Sequence, residues 1–391
     1  MKVVYTAPNR AHHYKYAAAL NVAGCLYAFV SGFPRLSPQA TSQDLKGRLY
    51  HADVIQTLYV ASLRGKIHVG ISSYLAYLSK IEQDMACQMF VRDCDIFLYY
   101  NGSGLRSSRL GKKHGVINIV EAVNSHVEYQ EKILEEEYHT LNLPWRPFPK
   151  NEKERRLIEY EEADYILLPS EFVKRSFIEK GFPEEKLLKV PYGFTNPVKS
   201  EISPTPLNKT KGFTILYVGT ISIRKGIRYL IDAFNKLDVK FKRLIIVGPD
   251  ANDGALTGVY LDSSVSFTGV LKDQQLVEAY KAADVFCLPS IEDGFGLVLG
   301  EALSFGLPII TTCNTGADDI ITDGKEGYIV PIRDSKSIQT KLQNLADDPK
   351  LLAQIAYNSR LKAGKLNGWE ECGINLVETL KKVHFRKQNV K

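Results

Sequence analysis

An acid, two glycines and a second acid stand at positions 293, 294, 296 and 301 of one stretch that reads DVFCLPSIEDGFGLVLGEALSFGLPIIT from Asp284. The pattern is strand, glycine-bearing loop, apolar helix, tight turn, strand. In an α/β sheet ligands sit beyond the carboxyl ends of the strands, where a strand hands over to a helix N-terminus. Unpaired N–H groups and the helix dipole both attract phosphate there. Gly294 and Gly296 let backbone approach a ligand closely. Glu301 is the only charged side chain between Gly294 and Ile310. Leu297, Val298, Leu299, Ala302, Leu303 and Phe305 surround it. An unpartnered polar group in such surroundings costs roughly 2–7 kcal/mol. Sugar hydroxyls are suitable partners, and a structural ion pair or a helix-terminal charge is the alternative.

The elements that position these residues follow from periodicity. Short β-branched runs alternate with amphipathic helical stretches, as in parallel sheets built from βα units. Strands are expected at Lys2 to Thr6, Cys25 to Val30, Val116 to Val120, Tyr165 to Leu168 and Leu187 to Val190. A Gly/Pro/Ser/Thr/Lys stretch then interrupts the pattern, with the composition of a linker at residues 194–212. It separates a first domain, 1–193, from a second, 213–368. Strands resume at Phe213 to Val218, Leu244 to Val247, Val265 to Thr268, Val285 to Leu288, Ile309 to Thr312 and Tyr328 to Val330. A helix whose apolar positions Ile227, Leu230, Ile231 and Phe234 share one face follows the first of these. A last amphipathic helix, about 369–391, is expected to pack back on the first domain. Residues 81–114 have weak periodicity and receive no assignment. Ala17 to Phe33 lacks any charge, yet Asn21, Gly24 and Ser31 make it a helix, a turn and a strand and not a signal peptide or membrane span.

Bulk properties narrow the function classes. A chain of 391 residues exceeds the size of one core, and 45% hydrophobic with 24% charged residues is a globular mix. The net charge of +6 suits phosphate-bearing ligands or an anionic membrane surface, and falls short of the dense basic stripes of a nucleic-acid binder. Six scattered cysteines form no C-x-x-C pair, so free thiols in a reducing compartment are expected.

Asp293, seven residues and then Glu301, with GFG after the first acid and EAL at the second, resembles the E-x7-E motif of family 4 retaining glycosyltransferases. VGTISIRKGIRYLIDAF from Val218 resembles that family's phosphate-binding loop and helix, and VSFTGVL from Val265 its nucleotide-base segment. NTGADDIITDGKEGYIVP from Asn314 and EADYILLPSEFVKRSFIEKGFPEEKLLKVPYGF from Glu162 are similar to its flanking segments. The resemblance covers nearly all of the second domain and about half of the first. It implies the α/β GT-B fold, two Rossmann-like domains whose parallel sheets face each other across a cleft. Glu301 would then hold the ribose hydroxyls and Asp293 a hydroxyl of the transferred sugar. Amides of Gly294, Phe295, Gly296 and Leu297 would line sugar and diphosphate, with Gly219 and Thr220 at the preceding phosphate loop. Lys225 would neutralise the leaving diphosphate, Val270 and Leu271 would meet the base, and His126 would contact the sugar near its reacting carbon.

The chain departs from the pattern at three places. Thr220 stands where the family often has Arg, leaving Arg224 as the second positive charge. The first motif acid is Asp293, one methylene shorter than Glu, with Glu292 beside it as an alternative. Asn9, Arg10, Ala11, His12 and His13 replace the usual Gly-Gly loop after the first strand and become the candidate acceptor loop. His12 and His13 have no third ligand at metal spacing, so no metal and no cofactor are expected. The implied activity is metal-independent, retaining transfer of a sugar from a nucleotide-diphosphate sugar to an acceptor hydroxyl of a glycan, a lipid-linked sugar or a small molecule. A cytoplasmic location with peripheral contact at the membrane face goes with it. A nucleotide-sugar hydrolase or epimerase, a phosphorylase and a non-catalytic sugar-nucleotide binder are the competing readings. A dinucleotide dehydrogenase lacks its G-x-G-x-x-G fingerprint.

Overall fold

Each expected apolar run becomes a parallel strand, and the computed structural model describes residues 1–40, 42–65, 68–195 and 212–389. β1 (Val3–Ala7), β2 (Leu26–Ser31), β3 (Leu49–His51), β4 (Ile96–Tyr100), β5 (Ile117–Glu121), β6 (Tyr165–Leu168) and β7 (Leu187–Lys189) form a sheet in the order 3-2-1-4-5-6-7. Helices α1 (His13–Val22), α2 (Val54–Arg64), α3 (Val69–Cys87), α4 (Leu105–Lys113), α5 (Val127–Thr140), α6 (Lys150–Glu162) and α7 (Glu171–Glu179) connect these strands. The second sheet holds β8 (Phe213–Val218), β9 (Lys242–Val247), β10 (Val265–Gly269), β11 (Val285–Leu288), β12 (Ile309–Thr312) and β13 (Gly327–Val330), in the order 10-9-8-11-12-13. Its helices are α8 (Ile227–Asn235), α9 (Asp273–Ala282), α10 (Leu297–Ser304), α11 (Ser335–Asp347) and α12 (Pro349–Ala363), and α13 (Trp369–Gln388) ends the chain.

Strand order reverses between β1 and β4 in one sheet and between β8 and β11 in the other, which opens a crevice at each switch point. Both domains are therefore Rossmann-like, with parallel sheets. The apolar face of α8 does what its spacing requires, for Ile227, Leu230, Ile231 and Phe234 are all fully buried. α13 crosses back to α1, so closely that a Cβ on Gly373 would lie 2.4 Å from that of Ala19. Lys387 near its end donates to the Val116 carbonyl.

Two strands were not expected. β3 has only three residues, and β4 lies in the stretch left unassigned. The latter, IFLYY, is covered on both faces and so lacks the alternation that marks a half-exposed strand. The uncharged stretch from Ala17 divides into the rest of α1, a turn at Gly24 and β2, and among the described residues no helix is long and apolar enough to cross a membrane. All but the ends of the expected linker lie outside the described residues. All six cysteines are free.

Candidate active site

The loop after β11 and the loop after β8 meet at one point. Gly226 adopts φ +63, and a Cβ there would lie 2.1 Å from the Pro289 carbonyl oxygen, so only glycine lets the two loops touch. Backbone bonds from Ile291 and Glu292 N–H to the Arg224 carbonyl fix the contact. It places Lys225 against Asp293, and Lys225 Nζ bonds Asp293 Oδ2. Both side chains keep a solvent-facing edge, 18% and 13% exposed, so a ligand can reach the pair.

Glu292, one residue earlier, points the other way and is completely buried. Its Oε1 accepts from the Ser125 N–H at 3.1 Å and hydroxyl at 2.8 Å, and its Oε2 from Gln130 Nε2 at 2.9 Å and Arg224 Nε at 2.7 Å. Burial alone would raise this carboxyl; Arg224 and the Ser125 donors overcome it and hold it below the usual range. Arg224 also donates to Asn124 Oδ1 at 3.0 Å. Glu292 and Arg224 thus join the second domain to the segment after β5 of the first. Arg224 is engaged as a tether, and Lys225 is the cation that faces the glycine loop. Gly294 is needed at the same seam, since a Cβ there would lie 1.9 Å from the Val123 carbonyl oxygen.

Of the four amides expected to line a ligand, two are already engaged. Gly296 N–H donates to the Thr315 carbonyl at 3.0 Å, where the turn after β12 closes over this loop, and Leu297 N–H donates within the loop to the Phe295 carbonyl at 2.9 Å. The Gly294 and Phe295 amides have no such partner among the described residues. The Phe295 ring is 7% exposed and packs on Tyr192 and Phe194.

Glu301 sits on α10 and accepts one hydrogen bond, from the Tyr280 hydroxyl of α9 at 3.0 Å. Burial pushes its carboxyl up. One partner leaves acceptor capacity on the carboxylate, as a ligand role needs, while Tyr280 supplies part of the structural alternative. Gly219 ends the β8 run, and Thr220, exposed, offers its carbonyl to the Tyr217 hydroxyl at 2.7 Å. Val270 and Leu271 follow edge strand β10, with Val270 58% exposed.

His126 is not at the cleft surface, which corrects its expected sugar contact. It is 2% exposed and its ring packs among Tyr160, Phe177 and Phe182 in the first-domain core. Its Nδ1 caps α5 by accepting from the Glu128 N–H at 3.3 Å, and burial lowers its pKa to about 4. The backbone beside it, at Ser125, is what reaches the second domain.

In the candidate acceptor loop, Asn9 lines a cavity of about 670 Å³ between α2, α3 and α6. Arg10 lies over the Tyr14 ring. His12 and His13 instead turn inward to Glu121, the last residue of β5. His12 Nε2 lies 2.6 Å from Oε1, and Tyr5 donates to Oε2 at 2.9 Å and sits 2.6 Å from His13 Nδ1. Glu121 is the third group that spacing alone did not reveal, and the three form the one metal-compatible grouping among the described residues. Their contacts also close on one another as a buried hydrogen-bonded cluster. Burial favours a raised Glu121 carboxyl, but His12 and His13 outweigh it and hold it well below the usual range. Sequence reasoning missed Glu121, Asn124, Ser125 and Gln130. A lone acid ending the apolar run INIV was the available signal for the first, and nothing local marked the others.

Comparison with known proteins adds to this geometry. Residues 198–362 match the family described as Glycosyl transferases group 1. The capsular polysaccharide biosynthesis glycosyltransferase CapM of Staphylococcus aureus is 28% identical over 54% of this chain and 60% of its own length. The sulfoquinovosyl transferase SQD2 of Arabidopsis thaliana is 34% identical over 39% of this chain and 30% of its own. The O-antigen chain mannosyltransferase B of Escherichia coli is 29% identical over 42% and 45%. The chain thus spans less than two thirds of each of these relatives. Among solved structures, the sucrose-phosphate synthase of Thermosynechococcus elongatus superimposes with TM-score 0.73 at 16% identity over 98% of this chain and 99% of that one. Anabaena HepE in complex with UDP gives 0.66 at 16% identity over 98% and 100%. These likenesses show the fold, GT-B, across both domains.

Proposed function

We propose that the protein transfers a hexosyl group from a nucleotide-diphosphate sugar to an acceptor hydroxyl, without a metal and with retention of anomeric configuration. The observation that carries this reading is the Lys225–Asp293 pair on the glycine loop before α10, inside the segment that matches group 1 glycosyltransferases. As the anomeric carbon–oxygen bond stretches, charge gathers on the departing diphosphate, and fixed cations and dipoles aimed at that charge are the largest catalytic contribution. Lys225 exchanges Asp293 for the phosphate oxygens. Asp293 is then free to accept from a hydroxyl of the transferred sugar, and Glu301 takes the ribose hydroxyls. The Gly294 and Phe295 amides, with the N-terminal end of α10, add their dipoles on the same side. The chain uses no protein nucleophile in this scheme, with the acceptor hydroxyl attacking from the face that the diphosphate leaves.

A relative described with UDP and UDP-glucose makes uridine donors the first to try. Thermal stabilisation by UDP-, GDP-, ADP- and dTDP-sugars identifies the base, since a ligand at 100 times its dissociation constant adds about 2.7 kcal/mol. Product analysis with and without acceptor then separates transfer from hydrolysis, epimerisation and phosphorolysis. Free sugar released at the same rate in both would refute transfer. We place the protein at the cytoplasmic face of a membrane, on a lipid-linked or glycan acceptor, from the exposed Arg106, Lys112 and Lys113 on α4. Liposome flotation that ignores anionic lipid would remove the basis for that placement.

A further inference from the structure

The cavity beside Asn9 has a floor whose charges do not balance. Lys80 from α3 and Arg156 from α6 both bond the same oxygen of Glu152, so two cations share one carboxylate. The Nε of Arg156 is buried with no hydrogen-bond partner among the described residues. A buried donor of a charged group left unmet is costly, and such exceptions call for an explanation. Burial, and then the Arg156 charge, lower the Lys80 ammonium to about 8. At the face of the cavity two cations therefore share one carboxylate, with Glu159 behind the floor, its carboxyl raised by burial to about 7. Above it the walls include Tyr59, Tyr100, Gln56 and Ser73, residues whose aromatic and hydrogen-bonding groups suit a sugar.

The cavity also leads toward the candidate active site. Tyr100 and Arg156 line a second, smaller cleft with Asn124, Ser125 and Gln130. Those three residues hold Arg224 and Glu292, next to Lys225 and Asp293. Arg156 and Tyr100 thus stand between the cavity and the residues that hold the loop proposed to carry the donor.

We infer that this cavity takes an acceptor sugar bearing an anionic group, a phosphate ester or a carboxylate, anchored by Lys80 and Arg156. The acceptor role rests on the transferase reading above; the anion anchor rests on the cavity alone. A neutral sugar supplies hydroxyls to the walls but no charge to the floor. Charge-assisted bonds are about twice as strong as neutral ones, so an anion should bind on the order of 10- to 100-fold tighter than its neutral analogue.

The test is calorimetric titration of the full chain with glucose, glucose 6-phosphate, glucuronate and inorganic phosphate, with a nucleoside diphosphate titrated in parallel. Either or both charged sugars should outbind glucose at least tenfold, and the two arms tell phosphate from carboxylate. Arg156→Gln should abolish that preference and leave nucleoside diphosphate affinity unchanged. Where this variant fails to fold, Lys80→Gln, which keeps Glu152 paired with Arg156, carries the same comparison. Equal affinity for glucose, no binding of any charged probe, or an undiminished preference in the folded variant overturns the inference. Anion binding without nucleoside diphosphate binding counts against the transferase reading and leaves the anchor standing.

Discussion

Adjacent acids at 292 and 293 should fail in opposite ways when neutralised. In Glu292→Gln the amide NH2 must replace one carboxylate oxygen. Each oxygen accepts from two donors, Ser125 N–H and hydroxyl at Oε1, Gln130 and Arg224 at Oε2, so either orientation sets donor against donor. Arg224 also loses its counter-charge. Breaking a buried pair costs about 3–5 kcal/mol, and since the Arg224 side chain is 32% exposed the lower end, about 3 kcal/mol, applies. At about 2–4 °C per kcal/mol for a domain of this size, the melting temperature should fall by roughly 6–12 °C. The bonds cross from β5 to the β11 loop, so amide exchange should rise at Ser125 and Gln130. Asp293→Asn removes a more accessible pair and should cost about 1 kcal/mol or less. It frees Lys225, so affinity for a bare nucleoside diphosphate should hold or improve. Turnover should nevertheless drop on the order of 100-fold, because the sugar is no longer positioned. Differential scanning calorimetry, nucleotide titration and initial rates on the two variants separate the cases. A stable but inactive Glu292→Gln beside an active Asp293→Asn would show that the acid pair is Glu292 with Glu301 and refute this assignment.

Glu301→Ala should raise the donor dissociation constant at least tenfold with little change in melting temperature; equal nucleotide affinity in wild type and variant would dismiss its ribose role. Activity should survive exhaustive EDTA, because Asp293 and Glu301 on separate turns do not make the oxygen cage of Mg²⁺ or Mn²⁺. Loss of turnover that Mn²⁺ restores would contradict the metal-free scheme and point to the His12, His13 and Glu121 cluster. For His126, whose folded pKa of about 4 lies below the ordinary 6.5, both states are neutral above pH 6.5; below it the unfolded chain takes up the proton first. Stability is therefore lost as pH falls from 6.5 toward 4, by about 2 kcal/mol at pH 5. Urea unfolding of His126→Asn, which keeps a capping side chain, should show that much less difference between pH 7 and pH 5. An identical difference in the two proteins would mean that His126 is not the titrating group.

The strands of the second domain were legible because they are bounded by turn residues, and α8 because it carries a clean apolar face. Val285–Leu288, with the loop and helix that follow, fall where the pattern of DVFCLPSIEDGFG puts them. The first domain was less so, and for two different reasons. β4 is apolar on both faces, so period-two alternation never appears in it. β3 is an edge strand of three residues, below the length at which any period can be counted. Site residues divide along a similar line. Lys225 and Asp293 were identifiable because loop chemistry marks each locally, although 68 residues separate them. Glu292, by contrast, was legible only as an alternative to Asp293 and not as a tether, since its partners Ser125 and Gln130 lie more than 160 residues away and are ordinary residue types. His126 misled for the converse reason. As the N-cap of α5 it turns its side chain according to the cap it makes, and here the ring faces the core.

The Glu292–Arg224 tether and the Lys225–Asp293 pair bridge the same two loops, and this constrains how the two domains could move. Ile291 and Glu292 hold the Arg224 carbonyl, Glu292 holds Ser125 and Gln130, and Ser170 donates to the Gly294 carbonyl at 2.7 Å. Asp293 and Lys225 lie between these contacts. A rigid-body opening of the two domains would have to break the Glu292 and Ser170 bonds together, exposing a carboxylate and its arginine to water at once. That is an all-or-none change, since a half-open seam leaves Glu292 buried without enough donors. If donor entry requires opening, sugar-nucleotide binding should be coupled to exchange at Ser125 and Gln130, and weakening the tether should speed donor association while loosening the closed complex. Stopped-flow association of a nucleotide-sugar with Gln130→Ala is the direct measurement. This change removes one of the four bonds to Glu292 and leaves its charge paired. A faster association rate together with a faster dissociation rate fits a seam that must part. An association rate equal to that of the wild type would mean that the donor enters a site already open, with the Glu292 seam acting as a fixed hinge.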